Sequence, residues 1–291
     1  MATGPRLSVV VPTNERWAHV AAVVQPMLAE AATLGVQVVV CGAGTDAPPA
    51  FGPAVTEVHH QGGDLFSARA LGLVATTGDV VAVLEDHVAV PEGWLTQLVD
   101  EWEAHPDASA LLFQVNCDPK ASLLEQALFT ITFGPFIHAT EVPRDRSPVP
   151  GMVSLRRDLL PATPQPGDLE YGVLAQLASS PTTYLTQVPA PVHAQHVRLR
   201  AIPLNYHSGR SYGAGYASRH NYRLTTQVRR VAGEARAVGR ATLAARRRQF
   251  PNRSPGFIFT AAVVTLIAAH ALGQLIGVVT RSPGRSHRRL E

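Results

Sequence analysis

The chain has 291 residues, 46% of them hydrophobic and 16% charged, enough to bury a sizeable core as one large domain or one domain with an appendage. Its two cysteines, Cys41 and Cys117, sit in no CxxC or Cys/His spacing, which excludes a disulfide framework and a cysteine zinc site and favours a reducing compartment. The net charge of +3 hides a division: residues 1–218 hold 11 Lys and Arg against 20 Asp and Glu, whereas residues 219–291 hold 14 Arg against Glu234 and Glu291.

No charged n-region leads into an apolar h-region at the start, so no signal peptide is expected. Leu7–Val11 is a β-branched run stopped by Pro12, a buried first strand. Residues 17–34 carry apolar residues at helical spacing and stop at Gly35. Val36–Val40 is a second apolar run that ends in turn chemistry, and residues 55–58 read as a short strand. Ser67–Ala75 predicts a helix, Val80–Leu84 a strand and Trp94–His105 a helix, with a further strand at 108–115. From 118 to 167 the chain is rich in Pro and Gly, with one helix near 121–131. Asp168–Ala178 reads as helix and the segment from Thr183 as extended. Residues 196–218, rich in Gly, Tyr and His, read as a loop. Strands apolar on both faces that alternate with helices predict a mostly parallel α/β sheet. In such sheets ligands gather at the carboxyl ends of the strands.

At one such end stand Glu85, Asp86 and His87, directly after an apolar strand. Side chains i and i+2 of extended backbone point the same way. Glu85 and His87 then share a divalent cation, or the carboxylate orients the imidazole; a solvated strand end that caps the next helix is the plainer alternative.

Five segments in order resemble glycosyltransferase family 2 of the GT-A fold, over roughly residues 6–218. They are LSVVVPTNER, VQVVVCGAGTD, FSARALGLVATTGDVVAVLEDHVAVPEGWL, PGMVSLRRDLL and GDLEYGVLAQL. The resemblance implies a Rossmann-like nucleotide-binding sheet flanked by helices, and inverting transfer from a nucleotide sugar. It implies a divalent metal, Mn2+ or Mg2+, that stabilises the departing pyrophosphate. Carried over by position, Pro12, Thr13, Glu15, Arg69, Glu85 and Asp86 bind the donor, and His87, Asp86 and His193 bind the metal. Imidazole suits Mn2+-like ions better than Mg2+. Asp168 takes the place of the catalytic base, although as a favoured N-cap residue it also suits the start of the helix that follows. The pattern is broken in four places: His87 stands for the last Asp of the metal motif, Gly167 for the Glu before the base, Cys41-Gly42 for the acidic pair at the second strand end, and Ala70 for the Asn after the donor arginine.

In residues 219–253 ten arginines are interleaved with Val, Ala and Leu at helical spacing, and Phe257–Val279 follows with no formal charge. That length suits a bilayer span, and the basic helix before it suits a membrane surface. A helical pair packed on the body with solvated arginines is the alternative. The basic region lacks interleaved aromatics, so nucleic acid is not expected as a partner. Processive family members carry Gln-x-x-Arg-Trp, whereas Gln227–Arg230 is followed by Val231, so transfer of a single sugar is expected.

The expectation is therefore a GT-A catalytic domain over 1–218 and a basic plus apolar helical region over 219–291. The enzyme would glycosylate a glycan or lipid-linked acceptor at the cytoplasmic face of the cell membrane. A noncatalytic GT-A-fold nucleotide- or glycan-binding scaffold at the membrane is the alternative.

Overall fold

The valine-rich runs form the strands their burial demands. The computed structural model describes residues 6–14, 16–43, 47–60, 65–137, 142, 152–177, 179–193, 200–219, 224–249 and 256–282. In chain order these begin with β1 (Leu7–Thr13), α1 (Trp17–Val24), α2 (Leu28–Leu34), β2 (Gln37–Gly42), β3 (Val55–His59) and α3 (Leu65–Val74). Then come β4 (Val80–Val83), β5 (Val88–Ala89), α4 (Trp94–Ala104), β6 (Ala110–Leu112), β7 (Asn116–Cys117) and α5 (Leu123–Phe133). The last are β8 (Val153–Arg156), α6 (Leu174–Leu177), β9 (Thr183–Leu185), β10 (Val192–His193), α7 (Ala201–Arg219), α8 (Leu224–Gln249) and α9 (Phe257–Thr280).

These elements divide into two compact units. The first, Met1–Asn116 with Ala139–Ala194, is built on a seven-stranded sheet of order β3-β2-β1-β4-β8-β6-β9. Every residue of β1 and β4 is buried, which explains why both are apolar apart from Ser8 and Thr13 of β1. Each fully buried valine contributes about 1.5–3 kcal/mol of transfer free energy. Only β8 runs against its neighbours, pairing antiparallel with β4 and β6. The expected mostly parallel, GT-A-like α/β sheet is present. Register aligns the carboxyl ends of the inner strands: Thr13 lies opposite Gly42 and Val10 opposite Val83. A second sheet of three short strands has the order β5-β10-β7. The sequence pattern missed β8, four residues inside a segment read as irregular, and the strand expected at 108–115 is the shorter β6, with β7 just beyond its end.

The second unit, Cys117–His138 with Gln195–Glu291, is helical. Ser122 and Glu125 form a capping box at the start of α5. The charge step at residue 218 and this packing boundary fall at different places, because α5 and α7 pack with α8 and α9.

The glycine-rich stretch expected to be a loop is the 19-residue helix α7. Its Gly209 and Gly213 sit four apart, as do Gly273 and Gly277 of α9. A Cβ at either α7 position would collide with the backbone carbonyl of His270 or Gln274, and at either α9 position with that of Tyr206 or Arg210. These glycines serve close helix contact. Each costs about 1 kcal/mol of helix propensity, which tight backbone packing offsets.

Candidate metal and donor site

The chain turns sharply after β4. Glu85, Asp86 and His87 occupy the turn before β5, at the edge where the parallel strands end. Antiparallel pairing of β10 with β5 sets His193 opposite Val88, one residue beyond His87. The two imidazoles meet edge to face, with ring centroids 4.4 Å apart. His87 Nε2 lies 2.9 Å from His193 Nε2 and 3.0 Å from Glu85 Oε2, and His193 Nε2 lies 3.1 Å from the same carboxylate oxygen.

This triangle tests whether the residues fit a metal. Protons on two imidazole nitrogens cannot serve all three edges at once, whereas one cation serves all three atoms. Metal–ligand bonds of about 2.1 Å at right angles put neighbouring ligands about 3.0 Å apart. The three atoms match that spacing, and two imidazoles with one carboxylate form a facial donor set for a divalent transition ion. The residues fit.

Asp86, expected among the ligands, makes two hydrogen bonds. Its Oδ1 accepts from His87 Nδ1 at 2.8 Å, and its Oδ2 accepts from the hydroxyl of Thr13. Asp86 is 6% exposed and stands outside the triangle. It holds the His87 ring so that Nε2 faces the other ligands, the usual carboxylate–histidine arrangement behind a metal. Glu85, expected to hold the donor, supplies the carboxylate of the triangle. Burial opposes charge on His87, but hydrogen bonds to Asp86 and Glu85 outweigh it and hold the imidazole at about 10. Burial also opposes charge on Glu85, yet hydrogen bonds from His193 and His87 keep its carboxyl well below the usual range. Burial, then the neighbouring His87 charge, pulls His193 below the ordinary imidazole value.

The remaining expected donor residues lie around this edge. Pro12 and Thr13 end β1, both buried, with the Thr13 hydroxyl committed to Asp86. Glu15 lies outside the described residues. At the end of β2, Gly42 has φ +147 and no room for a side chain, because a Cβ would strike the Thr13 carbonyl. An acidic residue is therefore sterically barred at this position. Its neighbour Cys41 is a core residue whose thiol burial pushes up to about 12, consistent with an inert side chain.

Arg69, on α3, is 4% exposed and ion-paired with Glu170, while its buried Nε has no hydrogen-bond partner among the described residues. Glu170 was missed as a functional candidate; the acidic residue two places after Asp168 was the available signal. It lies in a π-helical turn, Leu169–Val173, a distortion that recurs at functional sites. Asp168 opens this turn without capping it. Its Oδ2 instead accepts from Gln165 N at 2.8 Å. Gly167 has φ +84, a backbone in which the Glu of the resembling pattern would be strained. The Arg69–Glu170 pair ties the segment that carries Asp168 to α3, which packs on β1 and β2.

Residues 46–161 match the model of Glycosyl transferase family 2, a stretch that includes Arg69, Glu85, Asp86 and His87. No curated protein matches the sequence significantly. Among solved structures, one similar chain is glucosyl-3-phosphoglycerate synthase from Mycobacterium tuberculosis, crystallised with Mn2+, uridine diphosphate and glucosyl-3-phosphoglycerate. It is 17% identical over 68% of this chain and 76% of that chain, with a TM-score of 0.45. Another is TarS of S. aureus, 12% identical over 92% of this chain and 90% of that chain, with a TM-score of 0.46.

Proposed function

The chain carries a family 2 glycosyltransferase segment, and from that premise we propose that it moves a single sugar from a nucleotide-sugar donor to a glycan or lipid-linked acceptor, with inversion. The observation that carries this reading is the Glu85–His87–His193 triangle at the carboxyl edge of the sheet. Glu85, His87 and His193 would hold a divalent ion there, Mn2+ in preference to Mg2+ by their donor set, and the ion would supply positive charge to the departing diphosphate.

This chain's own groups supply the rest. Asp86, bonded by Thr13, fixes the orientation of His87. Asp168 accepts the proton of the acceptor hydroxyl as that oxygen bonds to the anomeric carbon. The bond from that carbon to the diphosphate oxygen breaks on the opposite face, and the nucleoside diphosphate leaves with its electrons. The Arg69–Glu170 pair positions the Asp168 turn. The helical unit holds the enzyme at a membrane surface on the cytoplasmic side, which suits an acceptor carried on lipid.

A panel of nucleoside diphosphates, each with Mn2+, Mg2+ or EDTA, tests the donor site through thermal stability. A metal-dependent rise with one nucleotide is expected, and it identifies the base. Asp168→Asn should keep that rise while transfer falls roughly 10²–10⁴-fold. Unchanged transfer would remove Asp168 as the base. A folded protein that responds to no nucleotide would favour the noncatalytic scaffold.

A further inference from the structure

The helical unit decides how the apolar helix can meet a membrane. Contacts fix the alignment of its three long helices. Tyr206 of α7 meets Gly273 of α9, and Arg210 meets Gly277 one turn on, so α7 and α9 run parallel. Arg230 of α8 bonds Gln274, Gly239 faces Ile267, and the Arg246 guanidinium stacks 4.6 Å over the Phe259 ring, so α8 runs antiparallel along α9.

The outer face of α8 carries Arg229, Arg236, Arg240 and Arg247, all exposed, at spacings of 7, 4 and 7 that keep them on one side of the helix. Arg236 and Arg240 flank Gly239 in sequence and therefore lie at the height of Ile267, near the middle of α9. If α9 crossed a bilayer as packed, those two charges would sit near the hydrocarbon centre, where arginine is strongly disfavoured. The length of α9 alone therefore gives the wrong orientation.

The exposed face of α9 is apolar. Val264, Leu272 and Val279 are 60%, 55% and 64% exposed, and they share a face with Ala261 and Ala268. At about 100° per residue, this stripe lies about 135° round from the positions on α9 that face α8 (Phe259, Ile267, Gln274). The arginine row lies about 90° round, in the same rotational sense about its own axis, from Gly239 and Arg246, which meet Ile267 and Phe259 of α9, while Arg230 reaches Gln274 from the other side of the row. Because the two helices are antiparallel, the stripe and the row turn to the same side of the pair along the stretch from Phe259 to Ile267.

We propose that this combined face docks in the plane of an anionic phospholipid bilayer, with the α9 stripe at the headgroup–acyl boundary and the α8 arginines on lipid phosphates. The proposal rests on the membrane-surface reading above and narrows it to a monotopic, non-spanning mode. Charge complementarity selects the occupant. Glu234 is the one acidic residue in α7, α8 and α9, and it is paired with Arg230. A second copy of the chain would oppose arginine with arginine. A nucleic acid would leave the aliphatic stripe uncovered.

Flotation of the full-length chain with vesicles tests this. Phosphatidylcholine vesicles containing about 30% phosphatidylglycerol should bind it at least about tenfold better than pure phosphatidylcholine. The variant Arg229→Gln/Arg236→Gln/Arg240→Gln/Arg247→Gln should lose that difference, and Val264→Asp/Leu272→Asp should lose flotation, both with unchanged circular dichroism. Tryptophans introduced singly by Val264→Trp, Leu272→Trp and Val279→Trp should all be quenched best by lipids brominated near the headgroup. Depths graded along α9, or binding indifferent to anionic lipid, would overturn the in-plane mode while leaving membrane association intact. No flotation at all would overturn both, as would dimerisation or retention on single-stranded RNA without flotation. Nucleotide-dependent thermal shifts of the same variants report on the donor site separately.

Discussion

His193 and His87 are 106 positions apart in sequence and 2.9 Å apart at their Nε2 atoms. The division of roles between Asp86 and His193 is testable at this scale. As a ligand, His193 should matter more than Asp86, which acts through His87 Nδ1. Asp86→Asn is expected to weaken Mn2+ binding roughly 10–100-fold, the usual cost of losing such a support. His193→Ala should cost more, with both variants still folded. Titration of the nucleotide-dependent thermal shift with Mn2+ measures both; a larger loss in Asp86→Asn would return Asp86 to the ligand set. Much of this site was legible from local pattern, because Glu85, Asp86 and His87 follow an apolar strand directly. The choice between Glu85 and Asp86 was not. It depends on a turn that faces Asp86 toward Thr13, which an alternating extended strand end does not describe.

At the scale of elements, the sharpest difference concerns glycine. In α7 a run rich in Gly, Tyr and His reads as loop because glycine lowers helix propensity and marks turns. The competing signal, spacing by four, has meaning only when a partner with the same spacing packs against it. Gly213→Leu or Gly273→Leu should therefore destabilise the protein by about 1–3 kcal/mol or more through overpacking. Gly233→Ala on the exposed side of α8, where nothing lies within 4 Å, should instead stabilise it by roughly 0.5–1 kcal/mol. Urea unfolding followed by circular dichroism compares the three. A gain in stability at Gly213 or Gly273 would show that those glycines are not there for close packing. Strand β8 escaped notice for a different reason. At four residues, its antiparallel place between β4 and β6 leaves no periodic signature of its own.

For the whole molecule, charge is the informative quantity. Under the membrane-surface reading, attachment through arginines weakens with ionic strength, while a buried metal and donor site is little affected. Raising salt from about 0.1 to about 0.5 M should lower the fraction bound to anionic vesicles and leave the metal-dependent nucleotide shift nearly unchanged. Parallel loss of both would mean that the two activities are not separate.

The sequence by itself determined the α/β class, the strand end that bears Glu85, Asp86 and His87, and the separation of acidic body from basic tail. These are local or additive properties, carried by apolar runs, short motifs and summed charge. Only the tertiary structure decided which residues form the metal triangle, because His193 arrives through the β5–β10 register. It alone barred an acidic side chain at residue 42, where the Thr13 carbonyl fills the space. It also set arginines beside the middle of the apolar helix, a relation between two helices that neither helix's composition contains.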